Sequence, residues 1–161
     1  ISVFGLSQRL SIPRAEAKHL IDGYFTTYPA VREYMEKSIS DAKQMGYVTT
    51  LFGRRRLLPD INSGNAVVRG LAERNAVNAP IQGSAADIMK IAMVRVAQRF
   101  EQENLKSKII LQVHDELVVD ALKNEQAQVI EILKNEMENA ARLAVPLTVE
   151  VGIGENWLDA H

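Results

Sequence analysis

Two short apolar runs, residues 108–113 and 117–121, flank three consecutive ionisable residues, His114-Asp115-Glu116. Runs this brief, rich in Ile, Val and Leu and closed over a polar tip, predict a β-hairpin. A lone hairpin is marginal in water, so the remaining chain must cover it. Most of that remainder has helical spacing. Residues 2–10 suit a short helix. Pro13 suits the first turn of a second, with Ala17, Leu20, Ile21 and Tyr24 on one face. Pro29 opens a third, with Val31, Tyr34, Met35, Ile39 and Ala42 inward and Gly46 as its stop.

After Gly46 the pattern turns to short strands. Tyr47-Val48-Thr49-Thr50-Leu51 reads as one, Phe52-Gly53 as a turn, and residues 54–58 as a returning partner before Pro59. Residues 62–65 form a loop by composition, and a helix follows over 66–78. Pro80 should kink or stop it, and Ser84-Ala85-Ala86-Asp87 has the form of a new helix start. That next helix, to about Glu103, is apolar over most of its circumference and belongs inside a larger assembly. Asn124 is placed to cap a last long helix, with Val129, Ile132, Leu133, Met137 and Ala140 inward. Pro146 ends it, and residues 147–152 alternate as a closing strand. Helices first, then β-β-α-β, give an α+β fold, mostly helical with a small antiparallel sheet.

The 161 residues suffice for one compact domain or one lobe of something larger. No apolar run approaches the ~20 residues that cross a bilayer, so no membrane partner is expected. No signal-peptide pattern opens the chain. With no cysteine, disulfides and thiolate metal sites are excluded, which fits a cytoplasmic location. His19, His114 and His161 are too scattered for a zinc site. Net charge is −1, but residues 1–53 carry +1, residues 54–99 carry +5 and residues 100–161 carry −7. A cationic stretch therefore precedes an acidic one, and the local field matters more than the sum.

Three segments can carry chemistry. At the hairpin tip, Asp115 can offer an oxygen to a hard cation such as Mg²⁺, with Glu116 beside it; aspartate also caps turns for ordinary backbone reasons. Arg74, Asn78 and Gln82 follow at four-residue steps, one face of a helix. They could reach the minor-groove acceptors that every base pair presents, or form a solvated polar face. Arg54, Arg55 and Arg56 after Gly53 suit phosphate contacts, and equally a solvated loop.

In order, these segments resemble the family A DNA polymerases, bacterial members foremost. The likeness rests on Gly46-Tyr47-Val48-Thr49-Thr50-Leu51-Phe52-Gly53-Arg54-Arg55-Arg56, on Glu73-Arg74-Asn75-Ala76-Val77-Asn78-Ala79-Pro80-Ile81-Gln82-Gly83-Ser84-Ala85-Ala86-Asp87, and on Gln112-Val113-His114-Asp115-Glu116-Leu117. Val145-Pro146-Leu147 and the run from Val149 to Trp157 resemble the family's closing strand and tail. It covers essentially the whole chain.

The resemblance implies a truncated right-hand polymerase fold. Residues 1–65 would be the later part of the fingers and residues 66–161 the C-terminal part of the palm. It implies a DNA-directed DNA polymerase (a nucleotidyltransferase of replication and repair) adding dNTPs to a primer 3′-hydroxyl by a two-metal route. Asp115 would be the second metal-binding aspartate, holding Mg²⁺, and Glu116 a supporting acid near the primer terminus. His114 would contact the primer strand. Arg74, Asn78 and Gln82 would line the duplex minor groove, and Arg54 to Arg56 would lie on the template side. In the family, the first catalytic aspartate, the nucleotide-binding fingers helix and the thumb are elsewhere in the polypeptide. These 161 residues alone are thus expected to be inactive, with primer-template DNA, dNTP and the remaining palm, fingers and thumb as partners. A nucleoid-associated cytoplasmic location follows from the same likeness. The alternative from another class is a duplex-DNA-binding module without catalysis.

Overall fold

The computed structural model describes residues 2–160; Ile1, first residue of the expected fingers part, and His161, one of the scattered histidines, lie outside the described residues. The described chain forms two compact units. The first runs to Thr49 and resumes over Gly53–Pro80; the second is Thr50–Phe52 with the chain from Ile81 onward.

The first unit begins with three helices whose ends follow local chemistry. In α1 (Val3–Leu10) the Ser2 hydroxyl accepts the Gly5 N–H at 3.0 Å. Helix α2 is Arg14–Thr27, and Pro29 takes the first turn of α3 (Pro29–Met45). Gly46, at φ +77°, stops α3 in the left-handed conformation and donates its N–H to Ala42 O at 2.8 Å. Two three-residue strands follow, β1 (Tyr47–Thr49) and β2 (Arg55–Leu57), paired antiparallel with Val48 opposite Arg56. The unit's core is Ala42, Val48, Leu58, Ile61, Ala72, Ala76 and Ala79. Burying a side chain such as Ile61 contributes about 2 kcal/mol, and Ile61→Ala should cost about 2–5 kcal/mol. The apolar faces read for α2 and α3 are covered only in part: Ala17 and Ala42 are buried, whereas Leu20, Tyr24, Val31 and Tyr34 stay substantially exposed.

The break expected near Pro80 does not occur. Helix α4 is continuous over Ala66–Gln102 with Pro80 inside it. Asn65 caps its start, its side-chain oxygen accepting the Val67 N–H at 2.9 Å. Proline forfeits one backbone bond and costs about 3 kcal/mol in a helix interior. That cost is offset by burial on either side: Ala72, Ala76 and Ala79 anchor the earlier turns in the first unit's core, and Met89, Ala92, Val96 and Phe100 anchor the later turns in the second unit's. Ser84 therefore starts no helix. It is buried, and its hydroxyl accepts the Leu51 N–H at 2.9 Å.

In the second unit, strands β3 (Lys108–Val113) and β4 (Glu116–Asp120) make the predicted hairpin. It packs on α4 and on α5 (Gln126–Glu138) through Val96, Phe100, Val129, Ile132 and Leu133, with Ile109, Leu117 and Val119 against them. The inward positions read for α5 hold, with Met137 partly buried. Two expectations here fail. The helix is preceded by Glu125, not capped by Asn124, and it ends at Glu138, before Pro146. Residues 147–152 form no strand; among the described residues the sheet of this unit consists of β3 and β4. The Val149 N–H instead bonds the Glu138 carboxylate at 3.2 Å.

No described helix is long and apolar enough to cross a membrane.

Candidate functional site

The hairpin tip is built by register. Val113 pairs with Glu116, so His114 and Asp115 alone make the connection. A two-residue connection of this kind normally places glycine where the backbone needs φ > 0. Here His114 takes that conformation, at φ +50°. A side chain in this region costs about 1–2 kcal/mol, and such strain clusters at functional sites. Gln112 braces the bend, its Nε2 donating to the His114 carbonyl at 2.7 Å. Farther down, the register slips between Ile109 and Leu111, leaving an extra residue on β3. Such a bulge bends and twists the ribbon and so re-aims its tip.

The consequence is an outward-facing acid. Asp115 and His114 are exposed, and Glu116, first residue of β4, is half-buried. The tip is thus the turn that composition predicts, and it also leaves a carboxylate open to solution. Among the described residues, no group of three or more His, Asp or Glu side chains is placed to hold a metal ion. Asp115 and Glu116 are nevertheless hard oxygen donors of the type Mg²⁺ takes, and that ion is commonly bound through one or two carboxylates plus substrate phosphates. The donor set fits part of a shell.

The remaining predicted site residues lie along α4 and β2. Arg74 and Asn78, in the first unit, are exposed and one helical turn apart; Gln82, the next at that spacing, is exposed in the second unit. The Arg74 guanidinium runs back over the preceding turn, 3.9 Å from where a side chain on Gly70 would begin. Arg54, Arg55 and Arg56 are all exposed, Arg55 with its guanidinium 4.8 Å from the centre of the Tyr47 ring. Stacking on a ring face leaves the edge N–H groups of arginine available to an anion. The structure brings His114, Asp115 and Glu116 together at one tip, and the three arginines together on and beside one strand.

Sequence reasoning missed the groups at the hairpin's base. Glu125 accepts the Ser107 hydroxyl at 2.6 Å, the Ser107 N–H at 2.9 Å and the Lys106 N–H at 3.1 Å. Ser107 is buried, and its hydroxyl in turn accepts the Leu122 N–H at 3.0 Å. The bond from the Ser107 hydroxyl, followed by those from the two backbone amides, holds the Glu125 carboxyl below the usual carboxylate range. No periodic signal marks these residues, because the partners are 18 and 19 positions apart.

A family model described as DNA polymerase family A matches residues 1–159. DNA polymerase I of Caldicellulosiruptor bescii is 54% identical over 159 residues, 99% of this chain and 19% of that protein. DNA polymerase I of Pseudomonas aeruginosa is 49% identical over 161 residues, all of this chain and 18% of that protein. A solved structure described as the POL domain of Pol1 from M. smegmatis in complex with DNA primer-template and dNTP superposes with a TM-score of 0.96. It is 46% identical and covers 99% of this chain and 28% of that one. The chain therefore spans less than a fifth of the length of these curated relatives. The α+β architecture expected from the sequence is that of this polymerase domain's corresponding part.

Proposed function

The chain belongs to DNA polymerase family A, and from that premise we propose that it supplies the second acidic half of a template-directed nucleotidyl-transfer site. The observation that carries this is Asp115: an exposed carboxylate on a two-residue turn, backed by strands packed on α4 and α5. In the reaction, the primer 3′-oxygen bonds to the α-phosphorus of the dNTP, the bond to the bridging oxygen breaks, and pyrophosphate leaves. The 3′-hydroxyl proton passes to solvent. Asp115 would hold Mg²⁺, with Glu116 as a nearby acid; in a two-metal site the ions neutralise charge on the attacking and leaving oxygens.

His114, exposed at the turn, would lie against the primer strand. Arg74, Asn78 and Gln82 offer donors without negative charge, which suits base pairs checked irrespective of sequence. Arg54 to Arg56 suit the template backbone. On this reading residues 1–65 belong to the fingers and residues 66–161 to the palm, and the first metal-binding aspartate must come from outside these residues. These 161 residues alone do not extend a primer.

The test uses a full-length polymerase carrying this sequence. Asp115→Ala should abolish primer extension in Mg²⁺ while leaving primer-template affinity within about twofold. Retention of both would favour a duplex-binding module without catalysis.

A further inference from the structure

The hairpin is held on the second unit in two ways that differ physically. Its inner face meets α4 and α5 through apolar side chains. Such contacts are strong but non-directional, and they tolerate tilt. At its base the contacts are hydrogen bonds, which are directional. Ser107 immediately precedes β3 and Leu122 lies just after β4. The Ser107 hydroxyl donates to Glu125 and accepts from Leu122, so one side chain joins both feet of the ribbon. Glu125 stands at the start of α5, and its own N–H bonds the Leu122 carbonyl at 2.9 Å. Both feet are thereby tied to one helix end.

We propose that Glu125 and Ser107 are positioning residues for the polymerase reaction: a clasp at the base of the β3–β4 ribbon that fixes its tilt and so the placement of Asp115. The proposal rests on the catalytic reading of Asp115 given above. The lever is long. At about 3.4 Å per residue, the six residues of β3 make an arm of roughly 20 Å. A tilt of about 3° at the base then moves the tip by about 1 Å, and a displacement of that size costs on the order of 10²-fold in rate. Both clasp residues act at the far end of the ribbon from the turn and need touch neither nucleotide nor metal. Glutamate suits the role because Oε2 takes all three donors, one of them the hydroxyl of a buried serine, while Oε1 shares the Lys106 N–H. A glutamine would lack the charge that strengthens these bonds and would set an NH₂ against the Lys106 N–H where Oε1 now accepts it.

Glu125→Gln, Glu125→Asp and Ser107→Ala would each be made in a full-length polymerase carrying this sequence. Single-turnover extension at saturating dNTP and Mg²⁺ is measured beside primer-template Kd, melting temperature, and hydrogen exchange at the Lys106, Ser107 and Leu122 amides. Glu125→Gln should slow extension about 10- to 100-fold, speed exchange at those amides, and leave primer-template Kd within about twofold. Glu125→Asp, which keeps the charge, should recover most of the rate. Adding Ser107→Ala to Glu125→Gln should cost little more, since both remove one network.

A wild-type rate in Glu125→Gln overturns the proposal. So does a rate loss equal to the loss of folded protein, or an Asp variant no better than the Gln variant. If Glu125→Gln does not fold, Ser107→Ala and Glu125→Asp decide by the same criteria. Asp115→Ala, run alongside, separates the two failures. An active Asp115→Ala enzyme defeats the catalytic reading itself, whereas an inactive one beside an unimpaired Glu125→Gln defeats the clasp alone.

Discussion

The chain contains two antiparallel ribbons whose turns solve one backbone problem differently. Ribbon β1–β2 has three-residue strands, one of them wholly exposed, and its connecting loop turns through Gly53 at φ +80°. Ribbon β3–β4 is longer, packs an apolar face on two helices, and turns through His114 at φ +50°. Where glycine stands, the left-handed conformation is free and the turn carries no side chain there. Where histidine stands, the chain accepts strain and gains an imidazole beside a carboxylate. The contrast separates a ribbon that presents positive charge from one that presents an acidic tip. It also says where each should be sensitive.

The largest effect should fall on the acidic tip and spare the basic ribbon. Holding a cation that neutralises phosphoryl charge is a matter of several kcal/mol, so Asp115→Ala in a full-length polymerase should slow extension about 10³-fold or more. Replacing Arg54, Arg55 and Arg56 by alanine should leave the rate at saturating DNA within a few-fold. Instead it should weaken primer-template binding and reduce the slope of log K against log salt by about 0.9 for each phosphate no longer neutralised. Extension rates and salt-dependent titrations check both arms. If the arginine variant loses rate at saturation, the division of labour between the ribbons fails.

The turns themselves should respond with opposite signs. Gly53→Ala places a side chain at φ +80°, where space is open but the backbone is unfavourable; it should lower stability by about 1–2 kcal/mol. His114→Gly should raise stability, by about 1 kcal/mol or less, because relief of strain is partly cancelled by the added freedom of the unfolded chain. Extension should nevertheless slow in His114→Gly. Urea denaturation beside primer extension reads the trade directly. A His114→Gly variant that is less stable would mean that the turn is not strained.

The base of ribbon β3–β4 carries an acid-sensitive contact. The Glu125 carboxyl below β3–β4 titrates lower when folded than when unfolded. Between those two values the unfolded chain binds more protons, so stability falls as pH falls. The contribution is complete above the ordinary glutamate value of 4.5 and is lost as pH drops through the depressed folded value. Glu125→Gln should therefore lower the melting temperature at pH 7 and flatten its fall as pH drops below the ordinary glutamate value of 4.5. Asp22 on α2 is held low as well, by its hydrogen bond from Lys18. Some slope should thus remain in the variant. An unchanged slope would show that the clasp carboxylate is not what titrates.

How much of this was legible depended on the range of the interaction. Gly46 and the 108–121 hairpin were readable, because a left-handed stop and alternating apolar runs are local and have few alternatives. So was the exposed Asp115, since a polar tip between apolar strands has nowhere to hide. The passage of α4 through Pro80 was not readable. Proline's local penalty is visible in sequence, whereas the burial of Ala76, Ala79 and Met89 that outweighs it is not. The strand read over 147–152 had the right alternation and, among the described residues, no neighbour to pair with. Glu125 carries no local signal, because its three donors come from a loop far back in the chain.

The smallest test concerns how firmly the basic ribbon holds its own charge. Arg55 pairs opposite Thr49 and lays its guanidinium over the Tyr47 ring, two residues along the partner strand. That diagonal is within reach of long side chains on one face of a sheet. At an exposed site such a contact contributes about 0.5–1 kcal/mol, so Tyr47→Leu should lower stability by that amount and little more. Its effect on DNA should be distinct from that of removing the arginine. With the ring gone, Arg55 keeps its charge and loses its fixed orientation. Affinity for primer-template should fall by about twofold at most while the salt slope stays as it was, because the slope counts phosphates neutralised. A changed slope in Tyr47→Leu would mean that the stack holds the guanidinium on its phosphate, and that this ribbon too depends on the placement of a single side chain.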